Sequence, residues 1–423
     1  MARVQSSPWP DLQPELVGLV LGLLPSIADR VRARAVCRAW RHHAAPLERP
    51  PFPWLSLLDG TFLSIPNGEI HRLPLPASAR RVHGSLGNLP FLEHDGGGLS
   101  LTNPFSNSRD DAVQQLPNVS TIWRKDETTH PLYGERPIAY KLVHLSSSSS
   151  SSSLNKVGSP AQESHFAVLI TDNSFGHTIS VCRPLINTAA LVLKGKKKKA
   201  AMFRVPSHGR LFDVAFCDGN LYALTCRKLF VLRVEYYSSS DHIKGGRSAP
   251  SRVTSMEAVM DYSDDTQTKF KSFSKTYKCA YWSYLVDSAG GRLLHVRRLV
   301  GVAPTVPDYE RMRRSRTLSF EVFEADLICG RWNRVTTLGG QAIFVGPYSK
   351  SLPALGCGPR EDCIYFMCDY DYDHTHWDYA DPFRGCGVFD MKRDVITPLL
   401  ADTDVLLPLL DGCKGRPSWF FPS

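Results

Sequence analysis

Two patterns of hydrophobic and polar positions divide the chain into a short helical head and a long body of strands. In the first 45 residues, apolar side chains recur every three or four positions, which is the spacing of one face of an α-helix. From about residue 54 onward, short apolar runs alternate with Gly, Asn, Asp and Pro, as in antiparallel strands joined by turns. The pattern therefore predicts a mainly β protein with a small all-α N-terminal domain.

Three short helices are predicted within residues 1–45. The first covers about residues 14–24, because proline fits a first helical turn and Pro25 stops the helix. Ser26 and Asp29 form a capping-box pattern that begins a second helix, and a short third helix follows. Isolated helices below about 12–15 residues rarely persist in water. We therefore expect a partner protein to cover their apolar faces, the alternative being an ordinary helical cap on the body.

The body, residues 54–423, shows hairpins that return at intervals of about 40–50 residues. In the clearest hairpin, an Asp-Gly pair separates Leu211–Cys217 from Asn220–Thr225, and glycine accepts the positive φ that a type I′ turn requires. Such repeats are typical of β-propeller blades, and the body has room for about six to eight of them. Residues 46–53 contain four prolines, which predicts an extended linker between head and body.

The head resembles an F-box. The similar segments are residues 9–16 (WPDLQPEL), 23–25 (LLP) and 34–41 (RAVCRAWR), with Gln13 where many relatives have proline. This resemblance implies that the three helices dock onto the Skp adaptor of a cullin-RING ubiquitin ligase. The residues with adaptor-facing or helix-packing roles would then be Leu12, Pro14, Leu16, Val17, Val20, Val36, Cys37 and Trp40.

The body resembles the KIB-type domain, a plant family long described as a domain of unknown function. The similar segments follow one another in the family's order and include residues 62–76, 101–105, 284–288, 338–346 and 417–421. Trp-Asp and kelch repeat signatures are not evident in the sequence. The resemblance implies a β-propeller attached to an F-box, and it does not name the target.

Composition and charge narrow the class of protein. Fifty Lys and Arg residues against 41 Asp and Glu residues give a net charge of +9, which is a weak argument for nucleic-acid binding. Eleven scattered cysteines without a C-x-x-C pair are typical of reduced thiols. The sequence shows no secretory signal, and no apolar run reaches the roughly 18–20 residues of a membrane span. We expect an intracellular protein, in the nucleus, the cytoplasm or both.

Three compositionally unusual stretches interrupt the strand pattern. Eight consecutive serines at 146–153 predict a disordered insertion near residues 146–160. The basic loop 194–200 contains Lys196–Lys199, which is either a nuclear-import signal or a solvated hairpin tip. The basic run 311–316 is either a solvated edge or a nucleic-acid contact.

Residues that could carry chemistry are concentrated in 369–381, which combine five carboxylates and two histidines. Their spacing matches neither an EF-hand nor a zincin, so a solvated propeller loop that contacts the target is preferred over a metal site. Neither a G-x-S-x-G elbow nor a phosphate-binding loop occurs. We expect no cofactor, no metal and no enzymatic activity. The candidate target-binding residues in this loop are Tyr370, Tyr372, Trp377 and Tyr379.

Together these features predict a substrate receptor of a Skp-cullin-F-box ubiquitin ligase. The head would bind the adaptor and the propeller would bind a target protein for ubiquitination, with no nucleic-acid or membrane partner. One alternative is a non-degradative scaffold or inhibitor that binds a signalling enzyme through the propeller. A second is a hydrolase or lyase with a metal at the propeller centre.

Overall fold

Most of the described chain is β-sheet, which the computed structural model arranges as six sheets. The residues that the structure describes are 12–24, 29, 32–33, 35–38, 40, 52–56, 60–65, 68–104, 113–123, 139–145, 164–171, 177–184, 202–205, 211–236, 251–261, 268–288, 290–354, 358–367, 369, 385–399 and 417–422. The predicted insertion near 146–160 and the predicted basic loop 194–200 lie entirely outside these residues.

The first three sheets are blades 1 to 3. Blade 1 contains β1 (Trp54–Ser56), β2 (Thr61–Ser64), β3 (Ile70–Arg72) and the last strand, β25 (Ser418–Phe420). Blade 2 contains β4 (Ala79–Leu86), β5 (Leu89–His94), β6 (Leu99–Thr102) and β7 (Val113–Leu116). Blade 3 contains β8 (Ala139–Leu145), β9 (His165–Thr171), β10 (His177–Cys182) and β11 (Met202–Arg204).

The other three sheets are blades 4 to 6. Blade 4 contains β12 (Leu211–Cys217), β13 (Asn220–Thr225), β14 (Lys228–Glu235) and β15 (Arg252–Asp261). Blade 5 contains β16 (Lys278–Ser288), β17 (Arg292–Val302), β18 (Arg316–Asp326) and β19 (Arg331–Val335). Blade 6 contains β20 (Gln341–Val345), β21 (Lys350–Pro353), β22 (Cys363–Phe366), β23 (Gly387–Asp390) and β24 (Val395–Pro398).

The six blades follow one another around a central axis. In blades 2 to 5 each strand pairs antiparallel with the next, so each blade is a four-stranded meander. The innermost strands β25, β4, β8, β12 and β16 contact each other in that order, and β16 also contacts β21 of blade 6. The fold is therefore a β-propeller, and the predicted range of six to eight blades narrows to six.

The ring closes where the two ends of the body meet in blade 1. Strand β25 pairs antiparallel with β1, which places Trp419 opposite Leu55. The Trp419 indole N–H donates to the Val345 carbonyl of blade 6 at 2.9 Å, and the Ser85 hydroxyl of blade 2 donates to the Trp419 carbonyl at 2.9 Å. The closing strand is thus hydrogen-bonded to both neighbouring blades.

The end of the predicted linker belongs to the body. Phe52 and Pro53 are buried, and the Phe52 ring lies 5.7 Å from the ring of Phe344 and 5.4 Å from that of Tyr365 in edge-to-face contacts. Residues 46–51 lie outside the described residues. The last two residues of the predicted linker are therefore buried, and Phe52 packs on blade 6.

Blade 6 departs from the meander. Strand β20 pairs antiparallel with β21 but parallel with β22, which gives a five-stranded sheet in the order β21-β20-β22-β23-β24. The connection from β21 to β22 passes around β20. Hydrophobic alternation does not distinguish this arrangement from a meander, and the sequence did not predict it.

The hydrophobic core lies between successive blades, since each sheet packs on two neighbours. A strand in such a position is apolar on both faces, and six of the seven residues of β9 are accordingly buried. Five larger clusters join blade 2 to 3, 3 to 4, 4 to 5, 5 to 6 and 6 to 1. The sixth contact, between blades 1 and 2, is made by β25 and β4.

A buried carboxylate joins the inner strands of three blades. Asp213 of β12 accepts hydrogen bonds from the Lys141 ammonium of β8 at 2.5 Å and from the Leu285 main-chain N–H of β16 at 2.8 Å. Burial raises the pKa of Asp213, and the adjacent Lys141 charge opposes that rise. Asp213 therefore connects blades 3, 4 and 5 close to the axis.

The predicted hairpin of blade 4 is confirmed residue for residue. Strands β12 and β13 have the expected bounds, and the Asp-Gly pair between them has positive φ at both positions, 45° at Asp218 and 77° at Gly219. Both angles are those of a type I′ turn.

Helices are few in the described part of the chain. The α-helices are α1 (Pro14–Leu23), α2 (Val119–Ile122), α3 (Thr268–Phe273) and α4 (Arg311–Arg314), and two single-turn 3-10 helices cover Asp95–Gly97 and Asp308–Glu310. Helix α1 confirms the first predicted helix of the head. Residues 29, 32, 33, 35, 38 and 40 are also helical, but several of their neighbours lie outside the described residues. The second and third helices of the head remain predictions.

Candidate functional site

The head has a small hydrophobic cluster of its own. Val17 is fully buried, and Leu21 and Trp40 are 4% and 7% exposed. The half-buried residues packed against these three are Leu12, Val20, Leu24, Ala33 and Cys37. All members of this cluster lie within residues 12–40, so this part of the head packs on itself.

A second group of apolar side chains in the head faces outward. Leu16 is 45% exposed, Leu19 61% and Val36 67%, and we call these three residues the exposed head residues. Leu16 and Leu19 lie three positions apart on α1 and so project from neighbouring positions of the helix surface. Exposed aliphatic side chains that recur on one short helix are typical of a protein-interaction surface.

The structure therefore divides the predicted adaptor-binding residues into two groups. Val17 and Trp40 pack inside the head, with Leu12, Val20 and Cys37 against them. Leu16 and Val36 are exposed, while Pro14 is half-buried at the start of α1. Leu19 was missed because it lies off the apolar face that defined the helix. The signal that could have found it is that α1 is apolar almost all round, with Glu15 as its one polar side chain, since such a helix has to bury more than one face.

The four predicted target-binding aromatics lie outside the described residues. Tyr370, Tyr372, Trp377 and Tyr379 all fall in 370–384. The residues that flank this segment are described, and a buried arginine of blade 5 holds both flanks.

That arginine is Arg298 of β17, which is fully buried. On the N-terminal flank, one of its N–H groups donates to the Met367 carbonyl at 2.6 Å and to the Asp369 carboxylate at 3.1 Å. On the C-terminal flank, another donates to the Gly385 carbonyl at 3.3 Å. The guanidinium also stacks over the Phe366 ring at 4.6 Å. The two ends of the segment are thereby fixed next to blade 5.

Tyr284 of β16 completes this anchor. Its hydroxyl donates to the Asp369 carboxylate at 2.8 Å. Burial, together with the nearby Asp369 charge, raises the pKa of Tyr284 well above its ordinary value, so the phenol stays protonated and remains a donor. Asp369 is the one described carboxylate of the acidic loop, and its charge is matched by Arg298 inside the protein. Arg298, Tyr284 and Asp369 form what we call the loop anchor.

The neighbouring arginine is buried in the same blade among different partners. Arg297 donates to the Glu321 carboxylate at 2.7 Å, and its guanidinium lies 4.6 Å from both the Tyr281 and the Phe323 ring centroids. Because Glu321 also accepts from the Tyr281 hydroxyl at 3.2 Å, this charge pair is satisfied inside the sheet. The sequence signal for both buried ion pairs is the pair of adjacent arginines, Arg297 and Arg298, in a mostly apolar strand. This signal was not identified from the sequence.

The structure does not test the predicted preference for a target contact over a metal site in residues 369–381. Among the described residues, no group of three or more His, Cys, Asp or Glu side chains is placed to hold a metal ion, but most of 369–381 lies outside them. Within the same described part, no helix combines the length and the apolar character that a membrane crossing demands.

These observations define the class of protein. The chain is a six-bladed β-propeller that serves as a protein-interaction domain, closed by its own C-terminal strand. Residues 62–390 match the KIB1-4 β-propeller family, and the chain belongs to that family. The family resemblance of the body is thereby confirmed, whereas the match does not extend to the head. Comparison with curated proteins gave no match.

Proposed function

We propose that this protein is the target-binding subunit of a Skp-cullin-F-box ubiquitin ligase. In this role the head binds the Skp adaptor, the propeller binds a target protein, and other subunits carry out ubiquitin transfer. The observation that supports the proposal most is the outward position of the exposed head residues, above a cluster that already fills the inside of the head.

The head is suited to bind a partner through these side chains. Taking a fully exposed aliphatic side chain out of water contributes about 1.5–3 kcal/mol, and these three side chains still have about half of their surface to bury, so together they provide a useful fraction of the binding free energy of a protein complex. Val17 and Trp40 would act indirectly, because they support the helix that carries Leu16 and Leu19.

The propeller is suited to hold the target. The loop anchor fixes both ends of 370–384, and the segment carries aromatic residues of the kind that dominate protein interfaces. A standard interface buries about 1,600 Å², which one face of a propeller accommodates. Holding the target beside the ubiquitin-transfer machinery replaces a rare encounter with an effective concentration on the order of mM.

The test is capture of purified Skp adaptor by the full-length protein and by single variants. Leu16→Asp and Leu19→Asp place a charge in the proposed interface without removing a core side chain, so we expect each to weaken capture at least about tenfold. Ile328→Asp is the matched control, because Ile328 is an equally aliphatic residue that is 98% exposed at the β18–β19 turn of the propeller.

Two results would contradict the proposal. One is failure of the unchanged protein to bind the adaptor, and the other is equal capture by the Leu16→Asp and Ile328→Asp variants. If the adaptor binds but the captured target is neither ubiquitinated nor turned over in cells, the protein is instead the scaffold or inhibitor named above.

A further inference from the structure

A cleft opens at one edge of blade 5. It encloses about 680 Å³ beside the end of β17 and the segment that connects β17 to β18. Its apolar part is formed by Gly301, Val302, Ala303 and Val306, of which the first two are buried and Ala303 is exposed. One side of the cleft therefore faces solvent.

The wall of the cleft is built from the basic run whose role the sequence left open. The Ser315 hydroxyl donates to the Arg311 carbonyl at 2.7 Å and closes the turn of α4. The Arg311 guanidinium donates to the Cys279 carbonyl of β16 at 3.3 Å. The Lys278 ammonium pairs with Asp308 at 3.0 Å. These contacts hold the connecting segment against blade 5.

Two further arginines of this run line the cleft, and their charges are balanced differently. Arg314 pairs with Glu310 at 2.5 Å, so that guanidinium already has a carboxylate beside it. Arg316 donates to the Tyr277 hydroxyl at 2.7 Å, and its guanidinium lies 5.3 Å from the Tyr277 ring centroid. A phenol orients a guanidinium but does not neutralise it. Within the described residues, the contacts of Arg316 leave its positive charge available to an anion.

The shape of the cleft selects the kind of anion. Pockets for small molecules are lined mostly by hydrophobic and aromatic side chains, whereas this cleft has Glu310, Arg314 and Arg316 among its eight lining residues and is open to solvent at Ala303. An open cleft instead accommodates one or two residues of a chain that continues past it. Guanidinium groups form their strongest hydrogen bonds with carboxylates and phosphates, and the apolar floor suits a small aliphatic side chain.

We propose that this cleft binds an acidic peptide segment, with a carboxylate on Arg316 and an adjacent small apolar residue against Ala303 and Val306. The proposal concerns a site separate from the exposed head residues and does not depend on adaptor binding. A phosphodiester backbone would offer the same guanidinium an anion, and the experiment therefore includes a nucleic acid.

The test is fluorescence anisotropy of the full-length protein with three labelled probes. They are an eight-residue peptide of alternating glutamate and alanine, the same peptide with glutamine in place of glutamate, and an eight-nucleotide single-stranded DNA. We expect the acidic peptide to bind at least about tenfold more tightly than the neutral peptide, and Arg316→Met to abolish most of that difference. Arg252→Met, which removes a half-exposed arginine of β15, should change affinity less than twofold.

A second variant removes the space while it keeps every charge. Ala303→Trp fills the cleft from its exposed side and should weaken binding of the acidic peptide about as much as Arg316→Met does. This variant keeps the proposal testable if the Arg316→Met protein does not fold. The proposal is overturned if the peptide binds equally well to Arg316→Met and Arg252→Met, or if Ala303→Trp leaves its affinity unchanged. It is also overturned if the DNA binds more tightly than the acidic peptide with the same dependence on Arg316.

Discussion

Asp362 joins three segments of blade 6 through a single buried side chain. One carboxylate oxygen accepts from the Leu338 main-chain N–H at 2.5 Å and from the Thr337 hydroxyl at 3.0 Å. The other oxygen pairs with the Lys392 ammonium at 2.9 Å. Burial favours the protonated acid, but the bonds from Leu338, Lys392 and Thr337 prevail and lower the pKa of Asp362. The residue also has a φ of 54°, which few side chains tolerate.

Asp362→Asn removes the charge and leaves most of the shape, because asparagine also tolerates positive φ. We expect a loss of about 1.5–3 kcal/mol in the free energy of unfolding at pH 7, the usual contribution of hydrogen bonds to a charged group. Since the folded-state pKa is lowered, this contribution is present above the unfolded-state value of about 3.9 and is lost as pH falls through the folded-state value. Urea unfolding at pH 7 and at pH 3 measures the difference between the two proteins.

Asp261→Asn is the matched control for this substitution. Asp261 also pairs with a lysine, Lys228 at 2.9 Å, but its side chain is 70% exposed. Exposed pairs contribute about 0–1 kcal/mol, so the control should change stability little. A loss at Asp362 that is as large at pH 3 as at pH 7 would contradict the assignment to the ionised carboxylate.

Residues differ in how far the sequence reveals their roles. Asp218 and Gly219 form a turn between adjacent strands, so their conformation depends on local sequence and was predicted. Asp362 acquires its role from partners about 25 to 30 positions away, and nothing next to it in the sequence indicates them. The role of Arg298 is equally hidden in the local sequence, because its partners Asp369 and Gly385 lie in another blade.

Among the elements, β25 is the one on which closure of the propeller depends. Only three residues long, it pairs with β1 and is hydrogen-bonded through Trp419 to blade 6 and to blade 2. The Trp419 side chain is fully buried and packs edge-to-face on Phe344 at 5.0 Å. Trp419 is therefore the residue through which the closing strand reaches both neighbouring blades.

Substitution of Trp419 separates its packing from its hydrogen bond. Trp419→Phe keeps a ring but leaves the buried Val345 carbonyl without its donor, which should cost about 1–3 kcal/mol. Trp419→Ala also opens a cavity in the core, and we expect a loss of about 3–5 kcal/mol. Urea unfolding followed by tryptophan-independent far-UV circular dichroism measures both. Equal and small losses for the two variants would show that β25 does not close the ring.

The elements were predictable from sequence where they pair with their chain neighbours. The β12–β13 hairpin of blade 4 was predicted because it has a local turn signal with an apolar run on either side. The parallel pairing of β20 with β22 and the antiparallel pairing of β1 with β25 are non-local, and an alternating pattern does not encode which strand lies beside which. The blade count was left open for the same reason.

At the scale of the whole molecule, the described hydrophobic clusters fall into two groups that share no residue. The head cluster contains residues 12–40, whereas each cluster of the propeller is formed by residues from 52 onward. Successive propeller clusters draw on the two faces of the same strands, as Val168 and Leu169 of β9 show, whereas the head cluster contains no residue of a propeller strand, so the head and the propeller are expected to unfold separately. The head would then be able to lose its structure, and with it the proposed adaptor site, while the propeller keeps its own.

Val17→Asp and Leu16→Asp together test this independence. Val17 is fully buried, so an aspartate there should unfold the head and let trypsin cleave the backbone after its arginines, whereas Leu16→Asp should leave the helical backbone protected. We expect both variants to lose Skp capture, and neither to change the main thermal transition followed by circular dichroism, because that transition belongs to the propeller. A lower transition temperature for Val17→Asp would mean that the head stabilises the propeller, and the two cores would then be one cooperative unit.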